Sequence, residues 1–528
     1  MKRFAPLSAL ALGAWVLFAN PVPGRADPSA DAWRRQGQAA VQRALDRSPL
    51  SRPARNVILF IGDGMGVSTV TAARIFEGQL RGQPGEENTL AFERLPHVAL
   101  VKTYNTNQQV ADSAGTATAM LTGVKTRAGV INLSPSAPRG RPADAALRLR
   151  TLFEEAKARG VGTGIVSTAR ITHATPAAAY AHTSERDWES DADLSDEAQA
   201  AGVRDIARQL VEFANGSGLD VILGGGRAQF LPNTTADPEY PEKKGARKDG
   251  ENLIESWRAG GKDRHFVWNR EQLTTLSPTE PGALFGLFEP SHMQFEAQRP
   301  RDGAGEPSLA EMTGVAIERL AQGDEGYVLL VEAGRIDHGH HASSAFLALH
   351  DTIAFSNAVA TAVQRVDLSE TLIVVTADHS HVFTVAGYPT RGNPILGLVH
   401  GNDVHGEPQT EPAKDASGLP YTTLGYANGP GYPGASDSQP EGPKQLPHFP
   451  RKAEGVTKGR PDLGEVDTMH PRYLQESAVP LIAETHAGED VPLYADGPGA
   501  ALFHGVREQS YVYHAIHAAL GWNEPKPQ

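Results

Sequence analysis

The run Glu332-Ala-Gly-Arg-Ile-Asp-His-Gly-His-His341 holds two carboxylates and three imidazoles, and Asp378-His379-Ser380-His381 repeats the mixture further along. That density exceeds what a solvated surface requires. Mixed His and Asp ligands suit zinc, and a carboxylate paired with a hydroxyl suits magnesium. The chain has no cysteine, so a metal must be held through nitrogen and oxygen. Disulfides, thiolate metal sites and a cysteine nucleophile are excluded with it. Asp337 and His341 stand four apart and would meet one ion if a helix begins there.

Ser113 is the candidate nucleophile. It follows Asp112 and opens the small-residue segment Ala114-Gly115-Thr116-Ala117-Thr118-Ala119-Met120-Leu121, which predicts a helix ended by Gly123. A serine in the first turn faces free backbone N–H groups and the positive end of the helix dipole, which favour an alkoxide and an incoming phosphate. The plainer alternative is that Asp112 or Ser113 only caps the helix. Glycines 62, 64 and 66 hint at a dinucleotide loop, but Asp63 at the centre would repel a pyrophosphate and the fingerprint spacing is absent. Asp63 fits a metal-bridging carboxylate better. Ser113 also lacks the Gly-x-Ser-x-Gly elbow of esterases.

These groups need elements to position them. Val57 to Ile61 reads as a buried strand that ends at Asp63. Val161 to Val166 leads towards His173, Val221 to Leu223 towards three glycines, Tyr327 to Val331 towards Glu332, and Leu372 to Val375 towards Asp378. Helical segments lie between, one opened by the capping box Ser308 to Glu311. Alternating β and α elements predict an α/β fold with a large, mainly parallel sheet and helices on both faces. In such sheets, sites form at the carboxyl ends of strands, where Asp63, His173, Glu332 and Asp378 all fall.

Residues 401–450 carry 8 Gly and 9 Pro, a density core strands cannot sustain, so 387–471 reads as an irregular insertion. The core is expected to resume at Val479 to Ile482. At the other end, Lys2 and Arg3 precede an apolar run from Phe4 to Ala19, and Gly24 and Ala26 suit a cleavage site, so residues 1–26 read as a secretory signal. Residues 27–50 predict a helical arm. The net charge is −13, which argues against nucleic-acid and anionic-membrane binding and means an anionic substrate needs strong local positive charge.

Together, the segments around Asp63, Asp112 to Gly115, His173 to Arg186, Glu332 to His341, Asp378 to His381 and Glu484 to His486 resemble alkaline phosphatase, in order and from about Trp33 to Leu520. The resemblance implies hydrolysis of phosphate monoesters through a phosphoserine, with two zinc ions and one magnesium ion. It implies a first zinc on Asp337, His341 and His486, and a second on Asp63, Asp378, His379 and Ser113. Magnesium would lie on Asp63, Thr175 and Glu332, and Arg186 would clamp the phosphate through its planar fork. The core would then span 51–386 and 472–528, with 387–471 as a crown-like insertion.

His173 and His338 stand where the bacterial pattern has Asp and Lys, and both resemble the animal enzymes, as neighbours of the metals. Asp237 to Pro241 and Phe288-Glu289-Pro290 are also animal-like. They imply a calcium ion on Glu239, the Phe288 carbonyl, Glu289 and Glu306, with Glu306 longer than the family's Asp. The resemblance further implies a homodimer, whereas the signal-like segment 1–26 predicts a periplasmic or secreted product, and with no C-terminal hydrophobic tail no lipid anchor is expected. The alternative from another branch of the chemistry is a related metal-dependent phosphodiesterase. A non-catalytic phosphate or metal scavenger is a third, against which stands the intact Ser113.

Overall fold

Ten strands form one sheet: β1 (Asn56–Gly62), β2 (His97–Lys102), β3 (Gly162–Arg170), β4 (Val221–Gly225), β5 (Arg264–Val267), β6 (Ala283–Leu287), β7 (Tyr327–Ala333) and β8 (Thr371–Ala377), with Val491–Asp496 and Gly505–Glu508. The order across the sheet is Gly505–Glu508, β2, Val491–Asp496, β8, β1, β7, β3, β4, β6, β5. Only Val491–Asp496 runs against its neighbours, so the expected mainly parallel sheet is present. This computed structural model describes residues 29–47, 52–216 and 218–522. The segment 1–26 read as a signal lies outside the described residues.

β1, β7 and β8 are apolar without alternation because cover lies above and below them. Two groups of helices supply it. Val67–Leu80, Leu309–Leu320 and Ala345–Arg365 pack together, and Ser113–Thr122, Leu152–Ala158, Ala174–Ala177 and Tyr511–Ala519 form the other group. Ala345–Arg365 is long and apolar enough to cross a membrane, but more than half of its apolar window is buried inside the protein. The predicted capping box forms: Ser308 Oγ accepts from the Glu311 N–H at 3.2 Å, and the Glu311 carboxylate accepts from the Ser308 N–H at 2.8 Å.

Strands β8, β1, β7 and β3 are adjacent and parallel, with Gly62 level with Ala333 and Ala377. Asp63, Glu332 and Asp378 therefore emerge side by side at one edge. That register turns scattered sequence motifs into a single site.

Residues 387–471 contribute one strand, Leu424–Gly429, which joins Phe383–Val385 and Ser477–Pro480 in a three-stranded satellite sheet. The expected return to the core at Val479 to Ile482 is therefore corrected: Val479 is 53% and Ile482 is 62% exposed. A short apolar run has the same appearance in a satellite sheet as in a core. The chain rejoins the large sheet at Val491–Asp496. At the amino end, the helix Ala30–Arg47 lies on Tyr511–Ala519 of its own chain, burying Val41 and Ala44.

Candidate active site

The loop after β1 carries Asp63 into the interior, and Gly64 makes that path available. Its φ is +72°, and a Cβ there would sit 2.4 Å from His381 Nε2. The Gly64 N–H donates to Asp378 Oδ1 at 3.0 Å, tying the β1 loop to the end of β8. Asp63, Glu332, Asp378 and His379 are fully buried.

Asp337 and His341 do lie on one helix, Arg335–His341, which starts directly after β7. Their side chains meet, with His341 Nε2 3.3 Å from Asp337 Oδ1, and His486 Nε2 reaches the same oxygen at 3.4 Å. The two Nε2 atoms are 3.2 Å apart. His341 Nδ1 donates to the Glu484 carbonyl at 2.5 Å and His486 Nδ1 to the Ala111 carbonyl at 2.7 Å. Because a carbonyl only accepts, both protons belong on Nδ1 and both Nε2 lone pairs point at a carboxylate. Three acceptors converging at that range fit a cation.

A second cluster surrounds His379 Nε2. Asp378 Oδ2 lies at 3.3 Å, Asp63 Oδ1 at 3.4 Å and Ser113 Oγ at 3.1 Å. Burial lowers the His379 pKa well below its ordinary value and lowers that of His341 too, so both rings are neutral and able to ligate. A third cluster uses the other face of Asp63. Asp63 Oδ2, Thr175 Oγ1 and Glu332 Oε1 are buried without hydrogen-bond partners, as is His173 Nδ1. Hard oxygens left bare in the interior fit a magnesium-like ion. Burial and the charges of Asp378, Asp337 and Glu332 push Asp63 well above the usual carboxyl range. Glu332 is raised to about 8 by burial and then by Asp378 and Asp337, against a hydrogen bond from Ser167. Acids that resist ionising together are what a bound cation would neutralise.

Ser113 begins the helix Ser113–Thr122, ended by Gly123 in the left-handed region as the composition predicts. Asp112 is indeed the cap, accepting from the Gly115 N–H at 3.1 Å, and it does more. Its Oδ2 accepts from Gly129 N at 2.8 Å and from Arg186 Nη1 at 3.2 Å. Burial would raise Asp112, but Arg186 and these N–H donors outweigh it and hold the carboxyl below its ordinary value. Arg186 Nη2 lies 3.1 Å from His173 Nε2. The capping reading of Asp112 is thus realised, and it leaves the Ser113 hydroxyl free to face His379 and Asp63.

Sequence reasoning left the roles of three histidines unassigned. His381 donates from Nε2 to Asp337 at 2.8 Å and from Nδ1 to Glu484 at 2.5 Å. Burial opposes its charge, yet Glu484 and Asp337 raise it to about 10, so it is a charged donor that orients Asp337. Its signal was alternation: residues 379 and 381 share a face of an extended segment. His340 is structural, bridging Thr69 Oγ1 at 2.9 Å and the Tyr426 hydroxyl at 2.8 Å. His292 joins His173 and His338 in a half-buried group, with ring centroids 5.3 Å and 4.1 Å away.

Away from this centre, Glu239 and Glu289 come together with Asp302. Both Asp302 oxygens and Glu239 Oε1 are buried and unpartnered. Glu306 instead accepts the Gln294 N–H with both oxygens, at 3.1 and 3.0 Å, and burial raises it to about 9. Asp302 thus joins Glu239 and Glu289 in the close cluster, and Glu306 stands near enough to feel the charges of all three. Phe288 is buried at the end of the β6 segment, next to Glu289.

A mainly parallel α/β sheet whose carboxyl edge gathers histidine–carboxylate clusters around a helix-starting serine defines a metal-dependent hydrolase. The sequence model of the alkaline phosphatase family matches residues 54–522, and the chain belongs to that family. It is 44% identical over 506 residues to the alkaline phosphatase of Gadus morhua, covering 94% of this chain and 98% of that one. To the tissue-nonspecific isozyme of Homo sapiens it is 43% identical over 529 residues, covering 98% and 94%. The crystal structure of Thermus thermophilus alkaline phosphatase superposes with a TM-score of 0.63 at 26% identity, covering 92% of this chain and 95% of that one. The chain is a phosphatase acting on phosphate monoesters.

Proposed function

We propose that Asp337, His341 and His486 hold one zinc ion, that Asp63, Asp378, His379 and Ser113 hold a second, and that Asp63, Thr175 and Glu332 hold magnesium. Bound there, the cations would favour ionised Ser113, neutralise phosphate oxygens and stabilise a departing alkoxide. The observation that carries the reading is Ser113 Oγ at a helix start, 3.1 Å from His379 Nε2 and 3.5 Å from Asp63 Oδ1. Ser113 attacks phosphorus, the alcohol leaves, and water then releases inorganic phosphate from the phosphoserine. Two displacements leave the configuration at phosphorus unchanged. Arg186, braced by Asp112, offers its planar fork to two phosphate oxygens. His173 and His338 line the metal surroundings without ligating the two zinc ions.

Turnover of p-nitrophenyl phosphate against bis(p-nitrophenyl) phosphate separates this reading from the phosphodiesterase one. The monoester should be preferred by on the order of 100-fold or more, because a diester has fewer free oxygens for Arg186. A preference for the diester would reverse the assignment. Arg186→Ala should lower monoester kcat/KM on the order of 100-fold and weaken inhibition by phosphate, while diester turnover changes by less than about threefold. Equal losses on both substrates would make Arg186 a structural residue.

The peripheral carboxylates are proposed to take calcium, with Glu239, Glu289, Asp302 and the Phe288 carbonyl as oxygens. A ligand bound only by the folded chain stabilises it by mass action. Adding 1 mM calcium to chelator-treated, zinc- and magnesium-reloaded protein should raise Tm by about 3 °C or more. Asp302→Asn should abolish the rise, Glu306→Gln should keep it, and the initial rate should hold. An unchanged Tm would remove the site. Secretion directed by residues 1–26, a homodimer using the N-terminal helix, and a crown role for 387–471 complete the proposal.

A further inference from the structure

A cavity of about 700 Å³ opens beside the first cluster, and His341 belongs to both. Its Nε2 faces Asp337 while the side chain, 31% exposed, forms part of the cavity wall. Most of the remaining wall is apolar, including Phe346, Leu446, Phe449 and Ile482. Three guanidinium groups also line it, Arg301, Arg335 and Arg472, and no Asp or Glu does. In a chain of net charge −13 that local balance is a selective one.

The arginines are placed differently. Arg335 lies 3.6 Å over the Phe295 ring and donates to His338 Nδ1 at 3.1 Å, and its Nε is buried without a partner. Arg472 is pinned by Nε to the Leu446 carbonyl at 2.6 Å, leaving its outer nitrogens for other acceptors. No hydrogen bond or ion pair holds the Arg301 side chain among the described residues. An in-line displacement fixes how a substrate meets this wall. On the assignment proposed above, Ser113 attacks from the side of His379 and Asp63, and with phosphorus held between the two clusters the alcohol would depart on the opposite side, towards Asp337, His341 and His486. Whatever the alcohol carries is delivered past the exposed edge of His341.

We propose that this cavity is the leaving-group subsite, and that the preferred substrates are phosphate monoesters whose alcohol bears an apolar body of several carbons ending in an anion. This rests on the phosphatase reading above. Apolar walls reward buried methylenes, and the Arg301 and Arg472 guanidinium groups, with no carboxylate in the wall beside them, reward the terminal charge.

The test compares ethyl phosphate, hexyl phosphate and 6-phosphonooxyhexanoate, whose leaving alcohols have similar acidity, on the fully metallated enzyme. Hexyl should exceed ethyl phosphate in kcat/KM by at least about tenfold, and the terminal carboxylate should add about threefold or more. Ile482→Asp, at an exposed position, should cut hexyl turnover about fivefold or more and leave ethyl phosphate within about twofold. Arg301→Glu should erase the carboxylate's advantage while sparing hexyl phosphate. Equal kcat/KM for ethyl and hexyl phosphate in the parent, or a hexyl-to-ethyl ratio untouched by Ile482→Asp, would overturn the subsite. Failure to hydrolyse ethyl phosphate at all would instead sink the phosphatase reading on which it rests.

Discussion

Replacing Ser113 with alanine is expected to reduce phosphate-monoester turnover on the order of a thousandfold or more, since the covalent route is lost and only electrostatic activation of water remains. Phosphate should still bind within a few-fold, because Arg186 and every other ligand of the clusters remain when the hydroxyl is lost. The fold should hold as well. Ser113 contributes its hydroxyl to His379 and Asp63, whereas the helix cap belongs to Asp112. Equilibrium phosphate binding and thermal unfolding, measured beside the rate, separate a missing nucleophile from a damaged site. Near-parental turnover in the variant would place the nucleophile elsewhere.

Metal removal should have an effect of similar size and a different signature. Chelation should abolish turnover and lower Tm by more than about 10 °C, since ions bound only by the folded state stabilise it. Zinc alone should restore part of the rate, and zinc with magnesium the remainder. The stripped protein should also acquire a pH dependence. Asp63, Asp378 and Glu332 have raised carboxyl pKa values, mainly through burial, with Glu332 at about 8. Above the unfolded value these acids are ionised in the unfolded chain and still protonated in the folded one. Their stabilisation is complete below about pH 4 and is lost as pH rises towards 8. Burial-depressed histidines such as His379 and His341 oppose this trend up to the ordinary His value near 6.5, so melting curves of stripped protein should fall from about pH 6.5 to about 8, and reloading should flatten them. Unaltered turnover after chelation, or a stripped protein whose Tm rises over that range, would contradict the clusters as cation sites.

Much of the centre was legible because its ligands follow strands that announce themselves. Val57 to Ile61 and Leu372 to Val375 are uniformly apolar, and the carboxylate just beyond each is forced to the sheet edge by the end of the strand. The spacing of Asp337 and His341 carried its own geometry, realised in the helix Arg335–His341. What stayed hidden depends on pairing across long separations. β2 and the reversed strand Val491–Asp496 lie beside each other, yet the apolar run Val98 to Val101 leaves Val98 and Leu100 exposed and does not say which strand it will pair with. Nothing in the sequence says that His486 will be fixed by the Ala111 carbonyl, or that Glu484 will orient His381. The calcium reading shows the same limit. Nothing in the motif around Glu306 says that the loop between it and Glu289 also carries Asp302 to Glu239 and Glu289.

The central claim is that Ser113 becomes phosphorylated during turnover. Incubating metallated enzyme with ³²P-labelled monoester, quenching in acid and mapping the labelled peptide tests it directly. The account predicts label approaching one phosphate per chain, acid-stable, on the peptide containing Ser113, and none in Ser113→Ala. Label on another residue, or steady turnover with no protein-bound phosphate at any quench time, would contradict it.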